Sequence, residues 1–344
     1  MKLSKESEIG YHAIRSGVAF SEDPDLLCLQ IKGDSALDVL DKICPCDIFL
    51  QNGQMKHTLL LDDNGIPFAD IYVCMEDFNT YILGYCKNAD TLIEWINFRA
   101  NTIEDYAIID LMKTHFCINL DGPYSWELAS EVFGSDILSL PYLSMLETND
   151  FIVFRGGRTG EYGYHFLVPK PQKNSWLEKV KSQGAAYKIK QADKTALSQC
   201  ALENFFFDLY KEGSYGLSPM ELQLQWRLST QKNEYPGASA IKNIKKTGWN
   251  QRMVCFISPE ELNPNDKITY EGIEIGQVLS IGYSPIRGDY VGKALLIKPY
   301  WHSGLDGFYV NNVPVKTISA PSITNLSLKV SPYRNSYHTR KESI

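Results

Sequence analysis

Near residue 245 the hydrophobic pattern of this chain changes period, and that break limits the folds open to it. Before it, segments of strand period alternate with amphipathic segments of helix period. After it, helical periodicity disappears, and short strand-like runs alternate with Gly, Pro and Asn turns. This pattern predicts an α+β region over 1–245, a small β-barrel or jelly-roll domain over 246–335, and a tail over 336–344. At 344 residues and 44% hydrophobic content the chain has ample material for these cores.

Within the first region, Leu27, Leu29 and Ile31 alternate onto one face of a strand over 26–32. The apolar stripe Ala36, Leu37, Leu40 and Ile43 predicts a helix, with Asp34 placed to cap it. Strands over 57–61 and 69–75 flank Asp62-Asp63-Asn64-Gly65, a hairpin signal. A third strand covers 80–85, and a helix starts near Asp90. Pro123 and Gly134 bracket another helix. Strands over 151–154 and 164–168 flank a Gly-rich turn. Ser175 and Glu178 predict a capping box for a helix ending at Gly184. Residues 195–210 read as one buried helix, because Phe205, Phe206 and Phe207 leave it no wholly polar face. Beyond the break, strands are expected over 253–257, 277–281, 293–297 and 308–310.

Charge and composition exclude several functions. The net charge of −7, without a long basic run, argues against a nucleic-acid partner. The basic stretch from Tyr333 to Lys341 reads as a solvated tail. No run of apolar residues is long enough for a membrane span, and the polar N-terminus is not a secretory signal. Eight cysteines scattered through apolar segments suit reduced, buried thiols in a cytoplasmic protein. Only Cys44-Pro45-Cys46 pairs two of them. With no second pair, it reads as core packing around a turn, and no metal site is expected.

No G-x-G-x-x-G, P-loop, H-E-x-x-H or G-x-S-x-G motif occurs. The informative carboxylate is Asp70, which enters the apolar run Ile71-Tyr72-Val73. A buried carboxylate needs a partner or a cavity; the plainer alternative is an edge-strand Asp facing water.

Four signatures follow one another in a fixed order: Leu120-Asp121-Gly122-Pro123, Thr159-Gly160-Glu161-Tyr162-Gly163, Tyr235-Pro236-Gly237-Ala238, and Ile275-Gly276 with Gly282-Tyr283-Ser284-Pro285. Ser218-Pro219-Met220-Glu221 and Leu224-Gln225-Trp226 add to them. Their order and spacing resemble the folate-binding aminomethyltransferase family, the T-protein of glycine cleavage and its demethylase relatives. The resemblance implies ferredoxin-like α/β units around a central cavity and a C-terminal barrel. It also implies a one-carbon transferase or demethylase that uses tetrahydrofolate as acceptor and a small methylated or aminomethyl donor. Two other readings stay open: a folate-independent reaction in a rebuilt pocket, and a non-enzymatic folate-sensing or assembly factor. The last lacks its Lys-Gly-Cys-Tyr-x-Gly-Gln-Glu motif here.

The resemblance places Asp70 on the family's catalytic aspartate, whose charge can stabilise a developing cation or assist proton transfer. His57, on the neighbouring strand, stands where several members hold a tyrosine. His165 replaces the glutamate that accepts two hydrogen bonds from the pterin's donor edge, and imidazole offers one acceptor at most. Leu202 replaces a cofactor-binding arginine. The Phe20-Ser21-Glu22-Asp23-Pro24 run departs from the family's substrate loop. Phe154, Glu221, Trp226 and Tyr283 complete the implied cofactor-binding set, although Glu221 and Trp226 read more readily as a structural network at the domain junction and Phe154 as a core aromatic.

Overall fold

The computed structural model describes residues 2–77, 79–332 and 334–340. The chain divides into two compact units that interleave in sequence. The first comprises Asp25–Leu111 and Phe205–Ser322; the second comprises Lys2–Pro24, Met112–Asn204 and the chain from Ile323 on.

The first unit holds a five-stranded antiparallel sheet and a barrel. The sheet order is Met55–Leu61, Pro67–Glu76, Asn79–Tyr85, Leu27–Lys32, Ala107–Asp110. Leu27, Leu29, Ile31, Ala69, Ile71, Val73 and Ile82 pack with the helices Ala36–Ile43 and Ala89–Arg99 through Val39, Leu40, Ile43, Leu92 and Ile96. Side chains alternate across a strand. Placing Ala69, Ile71 and Val73 on the helix-covered face therefore sends Asp70 and Tyr72 to the other. In the same way Leu60 joins the helix-side core while Leu59 and Leu61 join a separate cluster. That puts His57 on the face of Asp70. Gly84 lets the third strand close up here: a Cβ on it would stand 2.3 Å from the Asp70 carbonyl oxygen.

The barrel is closed, in the order Gln251–Ser258, Asp289–Ile297, Ile273–Ser284, Lys267–Tyr270, Phe308–Val310, Val313–Ile318. Bulges between Ile268 and Thr269 and between Val278 and Ser280 bend its long strands. A buried ion pair, Lys293 Nζ to Glu212 Oε2 at 2.8 Å, fastens it to the preceding segment, with Ser280 donating to the other carboxylate oxygen. The closed barrel and the strands around the Asp62–Gly65 turn agree with the sequence pattern.

The second unit is built on a six-stranded sheet ordered Lys190–Gln191, Ala19–Ser21, His115–Asp121, Gly163–Pro169, Ile152–Arg155, Ser144–Glu147. Ile118, Leu120, Val153, Phe166 and Val168 pack on one face with Leu128, Val132, Phe133 and Val180 from the helices Ser125–Phe133 and Lys173–Gly184. The intervening residues Asn119, Phe154 and His165 occupy the opposite face.

Four local expectations differ from the structure. The helix expected over 195–210 is Lys194–Glu203, capped by Asp193; the chain then turns, with Phe205 at φ +61°. Ser175 caps nothing, because the helix begins at Lys173 without a side-chain cap. Asp34 does not cap the Ala36–Ile43 helix either: Ser35 holds that position and makes no capping bond. The expected solvated tail is docked: Ser336 Oγ and the Tyr337 amide donate to Glu127, and Tyr337 is buried among the second unit's aromatics. Tyr333 and residues 341–344 lie outside the described residues.

Candidate functional site

Asp70 is not the solvent-facing edge residue that its strand position alone permits. It sits on the second strand of the sheet, 3% exposed, and its charge is paired. Its Oδ1 lies 2.6 Å from Nη1 of Arg227 and 2.6 Å from Nε2 of His57. His57 pairs across the strands with Tyr72 and stacks on its ring, centroids 4.2 Å apart and planes 20° apart. Trp226 meets the imidazole edge-on at 6.1 Å, and the Arg227 guanidinium lies 5.1 Å from the Trp226 centroid. Thr58 Oγ1 donates to the Arg227 carbonyl, so the short turn Gln225–Arg227 is fixed to the edge strand that carries His57.

This arrangement opens onto a cavity of about 370 Å³ lined by Cys46, Lys56, His57, Trp226, Arg227 and Ser229, among others. Trp226 is 65% exposed, an uncommon position for an indole without a ligand or partner to cover it. A carboxylate that orients an imidazole can assist a proton transfer, and the guanidinium offsets the charge of the carboxylate. Arg227 carries no motif of its own. It stands 157 residues from Asp70, and the only signal was a buried carboxylate in need of a cation.

Glu221 has a structural task in this unit. Its Oε2 accepts from the amide and hydroxyl of Ser218, its Oε1 from Gln251 Nε2, all at 2.8 Å, and its carbonyl accepts from the Met253 amide. It thus closes a turn and holds the first barrel strand. Tyr283 lies half-buried on the Ile273–Ser284 strand, edge-on to Tyr290.

In the second unit His165 stands opposite Asn119 and Phe154 in the strand register. Its Nδ1 is 2.7 Å from Asn119 Oδ1; the Asn119 amide group donates to Ser21 Oγ. Burial pushes the imidazole down to about 4, against a smaller opposing effect of Asp23. It is therefore neutral at pH 7. With Nδ1–H assigned as the donor to Asn119, Nε2 is an acceptor. The ring thus presents one acceptor, where a carboxylate at this position would present two. Phe154 has no exposed surface, and Leu202 is buried.

Asp121 has Thr159 Oγ1 at 3.0 Å, and burial raises its carboxyl to about 7. Arg15 pairs with Glu203 at 2.5 Å and lies 3.6 Å from Glu161. Glu161 is itself taken up by the amides of Leu326 and Ser327. Among the described residues no group of three His, Cys, Asp or Glu side chains could hold a metal ion, and no helix is long and apolar enough to cross a membrane.

Comparison with known proteins agrees with this architecture. Residues 3–232 match the family model described as the GCVT N-terminal domain. A probable aminomethyltransferase of Thermococcus gammatolerans is 26% identical over 86% of this chain and 83% of its own length. An aminomethyltransferase of Listeria monocytogenes is 22% identical over 90% and 88%. Rat mitochondrial dimethylglycine dehydrogenase is 24% identical over 74% of this chain but only 31% of its own length. The crystal structure of the glycine cleavage system aminomethyltransferase T from Bartonella henselae superposes with a TM-score of 0.82 at 17% identity, over 92% of this chain and 89% of that one. That match establishes the shared fold.

Proposed function

This chain belongs to the aminomethyltransferase family, whose enzymes transfer one-carbon groups, and we propose that it moves a methyl or methylene group from a small amine donor to tetrahydrofolate at the Asp70–His57–Arg227 site. The observation that carries this reading is the buried Asp70 carboxylate, bonded at one oxygen to both an imidazole and a guanidinium. Tetrahydrofolate supplies the nitrogen that accepts the one-carbon unit. Asp70 orients His57 and provides negative charge against the cation that develops during transfer. His57, fixed by Asp70 and by Tyr72, moves the proton that must leave the accepting nitrogen and arrive on the donor nitrogen. Arg227 positions the carboxylate and balances its charge. The exposed indole of Trp226 offers an aromatic face to a ligand.

Demethylation is favoured among the possible transfers by the similarity to dimethylglycine dehydrogenase, which spans three-quarters of this chain. The test is incubation with tetrahydrofolate and N,N-dimethylglycine, with 5-methyltetrahydrofolate measured by chromatography and folate binding by calorimetry. Asp70→Asn should lower the rate by about 10²–10⁴-fold and leave the fold intact by circular dichroism. A wild-type protein that neither binds tetrahydrofolate nor forms product would overturn the folate reading. Turnover undiminished in Asp70→Asn would overturn the assignment of this carboxylate.

A further inference from the structure

The Cys44-Pro45-Cys46 pair, read from sequence as packing around a turn, sits at the wall of the His57 cavity with a definite chemical asymmetry. Cys44 ends the Ala36–Ile43 helix, its amide bonded to the Leu40 carbonyl, and is completely buried. Pro45 turns the chain, and its carbonyl accepts from the Ser229 amide, so the turn is held in place. Cys46 then comes to the cavity surface, 3% exposed, alongside Lys56 and His57. The two thiols flank Pro45, near enough for each to act on the other's protonation. Two lysines face the pair. Lys56 Nζ is anchored on the Asp47 carbonyl at 2.8 Å, and Lys232 Nζ lies 3.4 Å from the Cys46 carbonyl. Asp41 faces it as well, bound to Lys232 at 2.6 Å.

We propose that Cys46 is a thiol-modification site that takes hydroperoxides, with Cys44 as its resolving partner. The geometry supplies each requirement: a sulfur at a cavity wall, cations beside it to favour its thiolate, and a second sulfur two residues away across the Pro45 turn. The Cys46 thiolate attacks the peroxide, the O–O bond breaks, and the leaving alkoxide takes a proton to become the alcohol. The sulfenic acid on Cys46 is then attacked by Cys44. The S–S bond forms, the S–OH bond breaks, and the hydroxyl leaves as water with the Cys44 proton. Two thiols lose two electrons in total to the peroxide.

The chemistry is selective. The neighbouring Cys44 thiol, followed by Thr58, Lys56 and Lys232, brings the Cys46 thiol down to about 7 against the cost of burial. Burial instead pushes Cys28, Cys74 and Cys86 up, and Cys255 to about 12. Because Cys46 and His57 line one cavity, modification of Cys46 alters the space beside the proposed proton-handling pair. The modification itself does not depend on which one-carbon donor the protein uses.

The experiment is mass spectrometry on the native full-length protein with peptide mapping. Iodoacetamide at pH 7 should label Cys46 at least about tenfold faster than any other cysteine. Stoichiometric hydrogen peroxide should remove two mass units and link the Cys44 and Cys46 peptide segments in a disulfide that dithiothreitol reverses. In Cys44→Ser the Cys46 sulfenic acid should accumulate and be trapped by dimedone. Lys56→Met should slow the alkylation severalfold. Labelling of Cys46 no faster than of the other cysteines would overturn the proposal. So would peroxide treatment of the wild type that leaves both thiols free. Neither readout requires catalytic turnover, so failure here is distinct from failure of the transferase reading.

Discussion

Replacing Asp121 by Asn should tilt the pH profile of stability in one direction, and replacing His165 by Gln should tilt it in the other. Both groups lie in the second unit, and burial opposes the charged form of each. Asp121 is raised from the usual 3.8 to about 7. Between those values the folded protein keeps a proton that the unfolded chain releases. Stability therefore falls as pH rises, by about 1.4 kcal/mol per pH unit, for a total on the order of 4 kcal/mol as an upper bound. His165 is lowered from 6.5 to about 4. In that window the unfolded chain takes up a proton that the folded protein refuses, so stability falls as pH is lowered. From pH 4 to 6.5 the two slopes oppose each other and largely cancel in the wild type. Asp121→Asn removes the downward slope. Its stability relative to wild type should climb from pH 4 and level off above 7. Asn keeps an oxygen for the Thr159 hydroxyl, 3.0 Å away in the wild type. The stability of His165→Gln relative to wild type should decline from pH 4 to 6.5. Urea denaturation followed by circular dichroism, at half-unit pH steps from 4 to 8, gives both difference curves. Two flat curves, or two of the same sign, would refute the reasoning.

Other outcomes follow from individual contacts. Arg227→Met should destabilise the protein by about 3–5 kcal/mol, because it leaves a buried carboxylate without its guanidinium; in a double-mutant cycle with Asp70→Asn, measured by urea denaturation, the coupling should exceed about 1 kcal/mol. Gly84→Ala should cost roughly 1–3 kcal/mol and weaken ligand binding with it, since the added Cβ meets the Asp70 carbonyl at 2.3 Å and must push that strand aside; thermal denaturation and calorimetric titration read the two effects. The His165 imidazole should stay neutral at pH 6 and titrate near pH 4 by NMR, well below an ordinary histidine. Lys293→Met should lower stability by several kcal/mol, and Glu212→Gln in addition should restore part of it, because the pair has no access to water.

Much of the scaffold was legible because it rests on period. Ala69, Ile71 and Val73 declare a strand with one apolar face, and the turn at Asp62–Gly65 sets its partner. Once the helix-covered face is known, the alternation places Asp70, Tyr72 and His57 together on the other face without further information. The same logic brings Asn119 and His165 opposite each other in the second sheet. Local signals failed where tertiary contact overrides them. The aromatic run at Phe205–Phe207 suggests a continuing helix, but the chain turns after Glu203 so that Phe207 can bury itself in the core beside Leu217 and Met220. Docking on Glu127 likewise turns what reads as a solvated tail into a packed segment.

The partners of the site were illegible for a different reason. Asp70 in an apolar strand implies a cation or an exposed face, and the sequence leaves both open. Selecting Arg227 requires knowing that the turn at Gln225–Arg227 lies along the edge strand, held there by Thr58. The same turn carries Trp226 to the cavity mouth, and Ser229, two residues past it, fastens the Pro45 carbonyl beside Cys46. One short stretch of chain thus positions the charge partner of Asp70, the exposed indole and the thiol pair at once. A substitution that dislodges it, such as Thr58→Val, should disturb all three together: weaker ligand binding, lower stability and slower alkylation of Cys46. Independent effects on the three readouts would mean that the turn is held by contacts other than Thr58.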